Sequence, residues 1–384
     1  MLFSALLLQT LVSVLAANSN LFAKETCTGQ SCEQSFTVLQ IPDMHFTGDA
    51  LFLCRDAPHD PCHESNMITF LNDLVDHVQP DLIVFTGDQV EDKEVTHVRY
   101  DALSGVIEFN REQVKAAIDK YSALAITRQI PWAIVFGNHD EGGSMNRQEM
   151  LEYVAQKPFS CSHFGPPDIG GVGNYDLDVK DRANKSVFRM YFIDTGDSGK
   201  VSLGQNQYLQ LLAASREPVP AVLFAHIPIP EYILTEKDIL WHGHQGEKVS
   251  EGPQSGLLDT LIKMGDVKAM FVGHDHGNNY CIERTRIQLC YGGGSGYGAA
   301  YNKEKAPRTA RVIHWQRDNR GQSISTWIQI DGNYTKSEYP LFGYKKDHML
   351  GDFQISQPSK FNSAHSYHSI AILVICIALY VHLQ

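Results

Sequence analysis

Five times along the chain a short apolar run breaks off in a polar cluster. The runs are TVLQI (37–41), DLIVFT (81–86), WAIVF (132–136), AVLFA (221–225) and VKAMFV (267–272). After them come Asp43-Met44-His45, Gly87-Asp88, Gly137-Asn138-His139-Asp140, His226 and Gly273-His274-Asp275-His276. Runs this short, bounded by Gly or Pro, predict buried strands. Helical spacing lies between them. In residues 63–78, Ile68, Leu71, Leu74, Val75 and Val78 share a face, and in 113–126 so do Val114, Ala117, Ile118, Tyr121 and Leu124. Strands alternating with helices predict a layered α/β fold. In such folds ligands sit beyond the carboxyl ends of the strands, which is where every cluster falls. Near the end, ARVIHWQ and ISTWIQI flank Asp318-Asn319-Arg320-Gly321 and predict a hairpin.

Each cluster alone is ordinary: Gly-Asp is turn chemistry, and Asn-His-Asp suits a helix cap. Together they bring four His, two Asp and one Asn to strand ends, in an order that a metal site needs. Mixed nitrogen and oxygen ligands fit zinc, manganese or iron rather than a thiolate site. One carboxylate shared by two ions ~3.5–4 Å apart leaves positions open for a bridging hydroxide and for phosphoryl oxygens, so that attacking and leaving oxygens are both stabilised. The neutral Asn oxygen keeps the centre positive enough to draw a phosphate dianion. Buried carboxylates and imidazoles at this density are costly without cations.

The ordered set D-x-H, G-D, G-N-H-D, His and G-H-x-H resembles the calcineurin-like metallophosphoesterase superfamily, over residues 35–277. That resemblance implies a two-sheet β-sandwich flanked by helices, and two divalent or mixed-valence metals (Mn, Fe or Zn). One would be held by Asp43, His45, Asp88 and His276, the other by Asp88, Asn138, His226 and His274, with Asp88 bridging. It also implies that His139 faces the substrate and protonates or stabilises the leaving alkoxide, with Asp140 orienting its ring. The stretches DLIVFTGD (81–88), AHIPIPEY (225–232), GDVKAMFVGHDHGNNYC (265–281) and CYGGGSGYG (290–298) look like the small purple-acid-phosphatase-like branch of plants and fungi. Purple enzymes carry D-x-G and a Tyr three residues after the bridging Asp; here His45 and Glu91 stand at those places. The coloured ferric–phenolate pair is therefore not expected.

Composition narrows the partners. The chain has 384 residues and a net charge of −12 with no run of Lys or Arg, which argues against nucleic acid. A metallophosphoesterase domain is expected over residues 35–335. Before it, residues 1–16 form an apolar run ending in small residues, expected to be a signal peptide. After it, a polar tail (336–369) leads to a charge-free apolar segment at 370–383, read either as a glycolipid-anchor signal, with Asn362-Ser363-Ala364 as one attachment region, or as a short single-pass anchor. Among eight cysteines, Cys27/Cys32, Cys54/Cys62 and Cys281/Cys290 lie close enough in sequence to close small loops, although spacing alone leaves connectivity open. Disulfides in an oxidising compartment fit better than zinc. Asn184-Lys-Ser and Asn333-Tyr-Thr are glycosylation sequons. The expectation is a secreted, surface-tethered hydrolase of phosphomonoesters, acting on a small phosphate ester or a phosphoprotein. A phosphodiesterase with the same metals is the alternative, and a non-catalytic binding protein a more distant one. Trp241-His242-Gly243-His244 could face substrate, and Gly292–Gly298 with Arg308 could contact phosphate.

Overall fold

A computed structural model describes residues 20–344 except 30, 55–60, 93–98, 102–104, 108–109, 241 and 299–306. The signal and anchor segments, with the tail beyond 344, lie outside the described residues. Through residue 135 the strands are β1 (Leu21–Phe22), β2 (Lys24–Thr28), β3 (Ser31–Ile41), β4 (Leu82–Thr86), β5 (Arg99–Asp101), β6 (Gly105–Ile107) and β7 (Trp132–Val135). Beyond it come β8 (Tyr175–Lys180), β9 (Ser186–Phe192), β10 (Ala221–Phe224), β11 (Val267–Val272), β12 (Cys281–Arg284) and β13 (Ile287–Tyr291). The last are β14 (Thr309–Asp318), β15 (Gly321–Ile330) and β16 (Tyr339–Gly343).

Two mixed sheets result. One runs β1-β8-β9-β10-β11-β13-β12; the other runs β16-β15-β14-β3-β4-β7, with β2 paired to β3. Their centres are parallel: β3, β4 and β7 in one sheet, β9, β10, β11 and β13 in the other. Parallel strands covered on both faces read as continuous apolar runs. In β4, Leu82 and Val84 enter the core between the sheets with Phe188, Phe224 and Phe271, while Ile83 and Phe85 meet the helical layer.

Helices α1 (Glu64–Val78), α2 (Arg111–Ile126) and α3 (Arg147–Ala155) cover one sheet. The other is covered by α4 (Leu203–Ala214) and α5 (Leu257–Met264). The expected α/β sandwich flanked by helices is therefore the observed architecture. The first two helices present the faces their spacing predicts, with Leu71, Leu74, Val75, Val114, Ala117 and Tyr121 buried. Asn110 starts α2 by accepting from Glu112 N and Gln113 N, which satisfies helix-end donors. The β14–β15 hairpin closes at Asp318 opposite Gly321, as expected.

The sheets draw in residues on both sides of the expected 35–335 span: β1 and β2 precede it, and β16 follows it within the stretch read as polar tail. Leu341 there is buried in the inter-sheet core. Pro340 is tolerated because β16 is an edge strand. All three close cysteine pairs form disulfides, Cys27–Cys32, Cys54–Cys62 and Cys281–Cys290.

Candidate metal centre

The loops after β3, β4 and β7 in one sheet, and after β10 and β11 in the other, carry the seven expected ligands to a single place. Four of those ligands, Asp43 (φ 54°), His45 (φ 50°), Asp88 (φ 53°) and His274 (φ 74°), sit in left-handed backbone. Asp and His tolerate that region better than most side chains, yet it still costs of order 1–3 kcal/mol per residue. The strain turns each side chain inward. Glycine beside the ligands is explained by space: a Cβ on Gly273 would lie 2.5 Å from Asp43 Oδ2, and one on Gly137 would collide with the Asp88 carboxylate.

Three groups of possible ligand atoms form among the described residues, and two of them are made of expected ligands. Asp43, His45, Asp88 and His276 each offer an atom within 4.8 Å of the others, and so do Asp88, His226 and His274. Asn138 joins the second group, its Oδ1 lying 3.1 Å from His226 Nε2. Asp88 belongs to both groups, the geometry of a bridging ligand. His226 Nδ1 lies 2.9 Å from the Thr86 carbonyl, and His45 Nδ1 lies 2.8 Å from Glu91 Oε2. With those acceptors behind them, both rings direct Nε2 forward, where a bound cation would take the place of a proton. His45 Nε2 and His276 Nε2 then stand 3.1 Å apart, close to the Asp43 and Asp88 carboxylates. Nitrogen lone pairs and carboxylate oxygens converging in this way fit a cation between them.

The electrostatics make the same demand. Burial disfavours charge on His226, but the Asp88 carboxylate outweighs it and holds the ring up at about 9. Burial pushes His274 down to about 4, which keeps it a neutral ligand. The carboxylates call for positive charge at this spot, and two bound metals would supply it. The residues fit a binuclear divalent centre of unassigned metal.

The Calcineurin-like phosphoesterase family model matches residues 36–278. The chain belongs to that family. Relatives at moderate identity carry the purple acid phosphatase name. "Probable inactive purple acid phosphatase 29" of Arabidopsis thaliana is 32% identical over 345 residues, covering 79% of this chain and 84% of that protein. "Probable inactive purple acid phosphatase 28" of the same plant is 33% identical over 346 residues, covering 78% and 81%. "Phosphatase DCR2" of Saccharomyces cerevisiae (strain ATCC 204508 / S288c) is 28% identical over 338 residues, covering 78% of this chain and 54% of that protein. Family and metal groups together make the chain a metal-dependent phosphoesterase.

In this calcineurin-like phosphoesterase, His139 stands outside the two groups of expected ligands and forms a third with His45 and Glu91, its ring 5.0 Å from that of His45 and partly open to solvent. The expectation that Asp140 orients it does not hold. Asp140 turns inward and accepts from the backbone N–H groups of Asp88, Val90 and Gly137 at 3.0, 2.8 and 2.6 Å. It pins the G-D turn to the G-N-H-D turn, a structural task that adjacency to His139 does not reveal. Glu91 holds the ring instead, through Oε1 at 2.9 Å from His139 Nδ1, while its Oε2 serves His45. Burial would raise Glu91, but hydrogen bonds from His139 and His45 overcome it and hold the carboxyl at about 2, fully ionised.

From the sequence Glu91 registers only as the absence of a tyrosine. Its position three residues after the bridging Asp, on the same turn, was the available signal. Residues 242–244 are bonded to the chain that follows His276: Cys281 N donates to the His242 carbonyl and His244 N to Asn279 Oδ1, while the His242 ring stacks on Tyr339. Neither histidine joins the metal groups among the described residues.

Two outcomes follow. Asp88→Asn is expected to weaken both metals together and nearly abolish turnover; a variant that keeps two ions per chain and full activity would show that Asp88 does not bridge. Glu91→Gln preserves shape but removes the charge behind two rings. It should weaken metal binding 10–100-fold, read by metal titration, and it should slow turnover even at saturating metal. Unchanged metal affinity would sever the Glu91–His45 link from function.

Proposed function

We propose that the chain is a phosphomonoesterase of the secretory pathway, held at the cell surface by its C-terminal segment. The observation that carries the catalytic part is the His139–Glu91 pair beside two complete ligand groups. A binding protein on the same fold needs no histidine poised outside the metals on a charged carboxylate. The yeast relative's phosphatase name agrees with this reading, and the plant relatives' names keep the inactive alternative in view. Bound metals would supply an acidified water and draw charge from the phosphoryl oxygens. The chain's own residues do the rest. Asn138 and neutral His274 contribute no charge of their own, so the centre stays positive enough to favour a dianionic monoester over a singly charged diester. His139 carries the proton that the leaving oxygen needs, and Glu91 stabilises the ring while it is charged.

The secretory reading rests on the three disulfides, which persist in oxidising compartments, and on both sequon asparagines, Asn184 and Asn333, being exposed. The tether rests on the apolar, charge-free sequence at 370–381.

His139→Ala should retain both metals and lose ~10²–10⁴-fold in turnover. The loss should be largest for alkyl phosphates, because p-nitrophenolate leaves with little help. Equal losses for aryl and alkyl substrates would remove His139 from leaving-group protonation. Assaying p-nitrophenyl phosphate beside bis-p-nitrophenyl phosphate should show faster monoester cleavage; preference for the diester establishes the phosphodiesterase instead.

For the tether, phosphatidylinositol-specific phospholipase should release active enzyme from the cell surface. Mass spectrometry that finds Gln384 intact on membrane-bound protein would replace the glycolipid with a short spanning anchor.

A further inference from the structure

The glycine-rich segment after β13 does a different job from the phosphate contacts that its composition suggests. It lies beyond residues 36–278, which the family model covers, and it packs against the back of the Asp43-Met44-His45 turn. Ser295 N donates to the Pro42 carbonyl at 3.2 Å, and Ser295 Oγ to the Thr309 carbonyl at 2.7 Å. Arg308, itself buried, donates through Nε to the Gly296 carbonyl at 2.6 Å, so its guanidinium grips backbone.

Two glycines in this segment leave no room for a side chain. A Cβ on Gly296 would lie 2.6 Å from the Asp43 carbonyl oxygen and closer still to that of Met44. On Gly298 it would lie 2.7 Å from the Met44 oxygen and closer still to that of His45. The three nearest atoms to either Cβ all belong to Asp43, Met44 or His45. Neither glycine has a left-handed backbone that would by itself exclude alanine. What bars a side chain is the ligand turn, whose Asp43 and His45 are the strained residues. A strained turn persists only when its surroundings over-determine it. The front of this turn is held by backbone bonds from Asp43 N to Gly87 O and from His45 N to Asp88 O. The glycine segment closes the back.

We propose that Gly296 and Gly298 are positioning residues for the metal held by Asp43, His45, Asp88 and His276: their segment braces the first ligand turn from behind. Occupancy of that site, and not of the one completed by Asn138, His226 and His274, depends on chain beyond the ligand-bearing motifs. Alanine at either position pushes the carbonyls of the turn away and carries the Asp43 and His45 side chains out of register.

The test is metal stoichiometry. Gly296→Ala and Gly298→Ala, reconstituted with manganese and dialysed, should fall from two ions per chain to one. The spin-coupled resonance of the pair should give way to that of a single ion, while cooperative thermal unfolding is retained. Should either alanine variant fail to fold, Arg308→Gln adds no bulk and loosens the grip on Gly296. It should weaken the first site ~10-fold and leave the second at wild-type affinity. Two coupled ions at wild-type affinity in the alanine variants, or equal weakening of both sites in Arg308→Gln, would overturn the assignment.

Discussion

Asp43, Asp88, Glu91, His45 and His226 are all but inaccessible to water at the seam where the carboxyl ends of two sheets meet. Carboxylates taken out of water cost several kcal/mol each unless something replaces their hydration. The protein replaces part of it with backbone: His274 N donates to Asp43, and His139 N to Asp88. Without metal, the His226 ring that the Asp88 charge holds up at about 9 adds a positive partner to that carboxylate. Cations are the remaining source of compensation, and the rest of the architecture is arranged around receiving them. Each ligand group takes residues from both sheets. The first draws three ligands from the loops after β3 and β4 and His276 from the loop after β11; the second adds His226 and His274 across the same seam. Bound metals would therefore staple one sheet to the other, coupling metal affinity to folding.

Aiming seven side chains at one point from parallel strands requires abrupt turns, and the backbone bears that cost locally. Left-handed Asp43, His45, Asp88 and His274 are kept in place by turns bonded to each other rather than to solvent. Phe46 N reaches Gln89 O, Glu91 N reaches Phe46 O, and Asp92 N reaches His139 O. Asp140 adds three further bonds at the centre of this zipper. Burial and the Asp88 charge push its carboxyl up to about 6, against the pull of those N–H groups. The first three ligand turns thus form one cross-bonded sheet of loops.

What could be read from the sequence, and what could not, follows from the same physics. Strands covered on both faces give unbroken apolar runs, so β3, β4, β7, β10 and β11 announce themselves, and their ends mark the ligands. Helices with wide apolar faces, α1 and α2, are equally visible. Short α3 buries Arg147 on its core side, where the guanidinium meets Asp194 and Asp197, so its pattern is masked by charge. The edge strand β16 is hidden by its polar surroundings. At the site, ligand identity was legible because chemistry and order both constrain it. The roles of Glu91 and Asp140 were not, because each is set by which atoms meet across about 50 residues of chain. Sequence adjacency favoured Asp140 as the partner of His139, whereas the fold turns that carboxylate toward backbone and brings Glu91 in from the neighbouring turn.

The substitution that removes the purple enzymes' phenolate consequently does more than delete a ligand. A phenolate at position 91 would bind metal directly; the carboxylate stands one shell back and divides its two oxygens between His45 and His139. One oxygen would increase the basicity of the His45 ring toward a metal, and the other stabilises positive charge on the His139 ring. The two effects compete for the same electron density. A proton on His139 would draw the Glu91 charge toward that ring and leave less of it for His45, so that a metal held at the first site would be more electron-poor. Through one buried residue, the charge on His139 would bear on the Lewis acidity that the first ligand group can confer.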